Sequence, residues 1–271
     1  MAATRTMPES DAAGEIPVRR IAPGDLRDVL REGWNDFLDK RGDLIFVGLI
    51  YPIVGFIAAV VSLGGALIPL FFPIAAGIGL LGPVAALGFY ELARRREAGL
   101  DAGWSHFLDV GKRPAWDSIM AVTGILLLIF FAWLGAAWAL YAAFFGAAPE
   151  SAGEFLTGLF TTPQGWGLIL VGNLVGLMFA ALVLTVSVVS LPMLVDRDVD
   201  ARTAIATSVR AVSANKGVMA RWGATVAALL VLGSIPAFVG LAFVLPWLGY
   251  STWHLYTRLV DRAAIPASAE A

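Results

Sequence analysis

The chain has 271 residues, 58% of them hydrophobic and only 15% charged, against a usual ~25% for soluble domains. Too few charges remain to cover a water-soluble surface of this size, and a net charge of −2 argues against a nucleic-acid partner. With no cysteine, disulfides, thiolate chemistry and cysteine-ligated metals are excluded. The apolar runs are continuous rather than alternating, which suits membrane helices and not an outer-membrane barrel.

Residues 1–20 are small, polar and of mixed charge, and are expected to form a disordered tail. A single integral membrane domain is expected over 21–262, followed by a small-residue tail at 263–271. Pro23-Gly24-Asp25 looks like a helix start, after which Leu26, Val29, Leu30, Trp34, Phe37 and Leu38 lay one apolar stripe along a helix. Two readings stand for it: a helix packed on the protein's own base, or an interfacial helix among lipid headgroups. The first 43 residues contain no apolar core of about 7–15 residues typical of a cleavable signal.

From Leu44 to Tyr90 no Asp, Glu, Lys or Arg occurs, a run of 47 residues. One helix of that length would measure roughly 70 Å, against a hydrocarbon layer of about 30 Å. The run is expected to cross at about 44–63, turn at Leu63-Gly64-Gly65-Ala66-Leu67-Ile68-Pro69, and return at 70–91. Further charge-free runs predict crossings at 118–145, 166–194, 219–233 and 236–256, with a polar turn at Glu150–Glu154. The short crossing at 219–233 has the weakest support. The fold expected is an all-α polytopic bundle of six transmembrane helices, arranged as three hairpins with amphipathic cytoplasmic lead-in helices.

An internal repeat supports the three units. Gly33-Trp34-Asn35-Asp36-Phe37-Leu38-Asp39 matches Gly103-Trp104-Ser105-His106-Phe107-Leu108-Asp109 at five offsets, and a basic pair follows each. A fainter third copy places Ile205, Val209 and Val212 on a stripe before Asn215-Lys216-Gly217. All 19 Lys and Arg fall before Leu44, within 94–113, within 197–221, or at Arg258 and Arg262. The positive-inside rule therefore puts every basic segment, and both termini, in the cytoplasm.

Chemistry is sparse. The expected crossings hold no ionisable group at depth, which argues against proton-coupled transport. His106 and His254 are the only histidines and lie in different segments, so no metal, haem or other cofactor is implied. Neither a nucleophile motif nor a phosphate-binding glycine loop occurs. Tyr90, Glu91 and His254 are the only loose candidates for an enzyme acting on lipid. Asn173, between Gly172 and Gly176 with Ala180 continuing the spacing, is expected to hydrogen-bond across a close helix contact, within the chain, in a homo-oligomer, or to a substrate. Pro83, Pro192 and Pro246 can kink the return crossings and line a cavity with Ser187 or Ser190. Arg94, Arg95 and Arg96 can anchor topology or hold anionic lipid headgroups.

The stretches Phe72–Gly77, Leu81–Leu92 with Arg94-Arg95-Arg96-Glu97, Val189–Leu194 and Trp253-His254-Leu255-Tyr256 resemble a bacterial family of integral membrane proteins catalogued as domain of unknown function 2189. The resemblance covers roughly residues 20–262. It implies a multi-pass protein of the bacterial inner membrane and brings no activity, cofactor or catalytic residue. A non-enzymatic structural, accessory or envelope-related role with a membrane-protein partner or self-association is the first expectation. A transporter or permease for a small neutral or amphipathic solute is the second.

Overall fold

The computed structural model describes residues 15–39, 82–146, 151–236 and 238–265, with isolated positions between 53 and 74. The expected crossing 44–63, the glycine–proline turn after it and most of 70–91 lie outside the described residues. The rest is helical: α1 (Asp25–Asp39), α2 (Gly82–Ala85), α3 (Leu87–Glu97), a 3-10 segment (Trp104–Lys112), α4 (Trp116–Phe145), α5 (Ala152–Thr161), α6 (Pro163–Ser187), α7 (Ser190–Asp196), α8 (Ala201–Ala214), α9 (Lys216–Ser234), α10 (Leu241–Leu259) and a last 3-10 turn (Arg262–Ala264).

Three of these are long and apolar enough to cross a membrane: α4, the unit Pro163–Asp196 and α9. They correspond to the crossings expected at 118–145, 166–194 and 219–233. Phe144 lies against Gly167 and Trp133 against Gly176, so α4 and α6 run antiparallel. Between them Gly146 takes φ 78° to end α4. The polar turn expected at Glu150–Glu154 is instead the start of α5, where Ser151 Oγ accepts from Glu154 N at 3.1 Å. Thr162 then caps α6 by accepting from Gly165 N at 3.0 Å, with Pro163 in the first turn.

The outer faces of these helices are apolar and open. Leu128 and Leu170 are each 70% exposed, and Phe131, Leu174, Leu177 and Met178 lie beside them. An apolar patch of this extent is costly in water and favourable in hydrocarbon.

The crossing expected at 236–256 looks different. Its helix begins only at Leu241 and is not among the three long apolar spans. It buries Leu248, Gly249, Tyr250, Ser251, Trp253 and Leu255, and packs along charged α1. The buried line of α1 is Leu26, Val29, Gly33 and Phe37, while Trp34 and Leu38 sit half-open at its flank. Trp34 stacks edge-on to Trp247 at 5.1 Å, and Phe37 meets Phe243 at 6.2 Å. Of the two readings of this helix, packing on the protein's own body describes it.

Pro192 explains the break between α6 and α7. It has no N–H for the carbonyl of Val188, and the chain unwinds at Val188–Val189. Ser208 of α8 enters the gap: its Oγ donates to Thr185 O at 2.7 Å and accepts from Val189 N at 3.3 Å. The two backbone groups that would have bonded each other are thus satisfied by one buried hydroxyl.

Four further expectations are corrected. Within the tail expected at 1–20, Glu15–Arg20 docks on the body. Ile16 is buried, Val18 bridges Val260, and Arg19 N donates to Leu259 O at 2.7 Å. Ile265, assigned to the other tail, is buried as well. The second repeat copy is a 3-10 segment rather than an amphipathic α-helix, and leaves Trp104 and Leu108 exposed. In the third copy Val209 is exposed, and α8 buries Ala204, Thr207, Ser208 and Ala211 instead. Small residues win that face because α8 must lie close to the α6–α7 break.

Candidate functional site

Most of the described ion pairs gather in one plate built from α1, α3, the 3-10 segment, α7 and the end of α10. At its centre Glu91 is 1% exposed. Arg94 grips it with two hydrogen bonds of 2.8 and 3.0 Å, and Arg95 and Arg113 approach to 3.9 Å. Such a buried carboxylate is tolerable only with cations and donors around it.

The plate extends in two directions. Arg95 reaches Asp109 at 3.6 Å and donates to Asp101 O at 2.6 Å. Hydrogen bonds from Lys112 and His106 hold the Asp109 carboxyl down at about 2. On the other side Arg96 pairs with Asp36 at 3.1 Å and with Asp39, and His254 lies 2.8 Å from Asp36 and 3.4 Å from Glu32. Arg258 donates to Glu32 at 2.7 Å and holds that carboxyl below its ordinary range. Arg262 binds both Glu97 and Asp196. Burial would push Glu97 up, but Arg262 and the Trp253 N–H at 3.0 Å outweigh it, so it too is lowered. Tyr256 donates to Asp196 at 2.8 Å.

The repeat acquires a structural meaning here. The last aspartates of its two clear copies, Asp39 and Asp109, bind adjacent arginines of one triplet, Arg96 and Arg95. The copies therefore bracket α3 from both sides. Phe107 packs on Phe89 of α3 with ring centroids 5.0 Å apart.

Arg94, Arg95 and Arg96 are thus each engaged by carboxylates of the protein. Tyr90, Glu91 and His254 do not converge: His254 faces Asp36 and Glu32, and Glu91 faces arginines. His106 and His254 belong to separate ion clusters.

Asn173 does not reach across a helix contact. It is exposed and its Nδ2 donates to Ile169 O of its own helix at 2.7 Å. A Cβ on Gly172 would meet nothing within 4 Å, and only Gly176 touches the neighbouring helix, at Trp133. Asn173→Leu is accordingly expected to leave the thermal unfolding midpoint in detergent within about 0.5 kcal/mol equivalents of the parent, the usual range for surface changes. A clear loss of stability or of oligomer size would restore Asn173 as a contact residue. Ser187 and Ser190 are buried and donate to Val183 O at 2.7 Å and Val186 O at 2.5 Å in their own helical unit. Pro192 and Pro246 are likewise packed into buried helix segments.

One connector escaped the sequence reading. Asn215 Oδ1 accepts from Ile21 N at 2.9 Å, while its Nδ2 donates to Arg19 O at 3.0 Å and Ala211 O at 2.9 Å. It staples the N-terminal segment to the α8–α9 corner. Its only sequence signal was its place in the faint third repeat.

An all-helical body with open apolar flanks and a charged plate to one side defines a helical membrane protein. Residues 71–196 match the family model described as "Predicted integral membrane protein (DUF2189)", the family that the sequence resembles. The match covers a little under half of the chain, a narrower span than the resemblance. Comparisons with curated proteins and with solved structures find no match.

Proposed function

We propose that this chain is a non-enzymatic structural or accessory component of the bacterial inner membrane, crossing six times with both termini in the cytoplasm. The observation that supports it is the state of the plate. Among the described residues its acids and bases are spent on one another, joining α1, α3, α7 and α10 into one scaffold, and Asp36, Arg96, Glu97 and His254, which line a cleft of about 320 Å³ within it, are themselves ion-paired. A transporter would place polar groups along a path between kinked helices. Here Ser187 and Ser190 are bonded to their own helical unit.

Purification of the full chain in mild detergent is expected to recover a stoichiometric membrane-protein partner or a homo-oligomer. Reconstituted vesicles should take up neutral solutes no faster than protein-free vesicles. Saturable uptake would replace this reading with the permease. Because the chain has no cysteine, topology can be read with single thiols. Ser151→Cys and Ser268→Cys should label from opposite sides of the membrane, and labelling from the same side would remove the even count.

A further inference from the structure

Among the described residues Arg20, Arg27, Arg202, Lys216 and Arg221 form no ion pair, and three of these five share one cleft. Arg20, Lys216 and Arg221 are exposed, and among the described residues none has a carboxylate within ion-pair distance. They line one open cleft of about 290 Å³ together with Ile21, Pro23 and Asn215, and no acidic residue lines it. The contrast with the arginine triplet of α3 is chemical: those charges are answered by the protein, these are not.

The position of the cleft says what could answer them. It lies at the start of α9, one of the three helices apolar enough to span a membrane. Arg221 is about 7 Å along that helix from Lys216, at 1.5 Å per residue, which is headgroup depth for a span that begins at Lys216. Below it Gly217, Ala220, Ala224 and Ala228 are all exposed on one face of α9, leading to Val231 and Leu232, which are 63% and 60% exposed. A shallow strip of small apolar residues under a basic cleft fits an acyl chain beneath a phosphate. Guanidinium groups match phosphate oxygens two at a time, and the lysine adds a third charge. The cap residue Asn215 spends its side chain on Ile21, Arg19 and Ala211, so it does not compete for the ligand.

We infer that Arg20, Lys216 and Arg221 form a binding site for the phosphate headgroup of an anionic phospholipid, whose acyl chain lies along the small-residue face of α9. This rests on α9 lying in lipid, as proposed above. The site differs from the triplet Arg94–Arg96, which the sequence had suggested for the same role.

The test is native mass spectrometry of the detergent-solubilised full chain, titrated with phosphatidylglycerol and with phosphatidylcholine of the same acyl chains. Lys216→Gln with Arg221→Gln is compared with Arg27→Gln with Arg202→Gln, which removes two other cations and the same charge. The site variant is expected to bind phosphatidylglycerol about tenfold more weakly, with phosphatidylcholine binding unchanged and the control variant within about twofold of the parent. Equal loss in both variants, or no loss in either, would overturn the site. So would displacement of phosphatidylglycerol by millimolar inorganic phosphate, which would mark a soluble-anion site. Saturable solute uptake by vesicles bearing the parent chain would overturn the accessory role while leaving the lipid site standing.

Discussion

Glu91→Ala should lower the thermal unfolding midpoint of the detergent-solubilised protein by on the order of 10 °C. Glu91 is 1% exposed and is the shared counter-charge of Arg94, Arg95 and Arg113. Removing one partner of a buried ion cluster costs about 3–5 kcal/mol, since the remaining charges stay desolvated without compensation. For a chain of this size each kcal/mol is worth about 2–4 °C. The cost belongs to the stranded cations, so Glu91→Ala combined with Arg94→Leu should recover part of the loss, a non-additivity expected of groups in one network. Arg31→Ala serves as the reference, because its pair with Asp28 is exposed and worth little. If Glu91→Ala melts like Arg31→Ala, the plate does not hold the protein together.

The second large effect concerns the close approach of α1 to α10. A Cβ at Gly33 would sit 2.2 Å from Ser251 Oγ and 2.6 Å from Ser251 N. The second of these is backbone and cannot rotate away. Gly33→Ala should therefore push α1 off α10, at a cost of about 2–3 kcal/mol from overpacking, with the Asp36–His254 and Glu32–Arg258 pairs loosened as α1 moves. Hydrogen exchange across 25–39 reads this directly, and faster exchange confined to α1 and the facing part of α10 is the expected result. Gly172→Ala is the counter-experiment. Nothing lies within 4 Å of its Cβ, and alanine gains up to ~1 kcal/mol in helix propensity. It should be neutral or slightly stabilising, and equal damage from both substitutions would refute the close contact at Gly33.

The contrast between these glycines shows where sequence reasoning succeeds and where it stops. Gly172, Asn173 and Gly176 stood out because small-residue spacing inside an apolar run is visible in a linear text. Gly33 carries the tighter contact, yet in the sequence it is only the first residue of a repeat, and its partner is more than 200 positions away. Spacing along one helix reports which residues share a face. It does not report which other helix that face meets.

The repeat makes the same point from the other side. Five matching positions were legible, and so was a shared relation to basic residues. That Asp39 and Asp109 would close on neighbouring arginines of α3 depended on the chain folding back on both sides of it. The two copies even differ locally, one α-helical and one 3-10, because each conforms to the neighbour it packs against.

Hydropathy by itself determined that this is an all-α membrane protein, and it placed the apolar helices at 116–145, 163–196 and 216–234 to within a few residues, since the cost of exposing or burying a side chain in lipid is set largely residue by residue. The fate of the charges that pair between elements was decided only by tertiary structure. Arg94 meets Glu91 one turn away on its own helix, but Arg95 and Arg96 depend on Asp109, Asp36 and Asp39 from other elements, and among the described residues no such carboxylate reaches Arg20, Lys216 or Arg221.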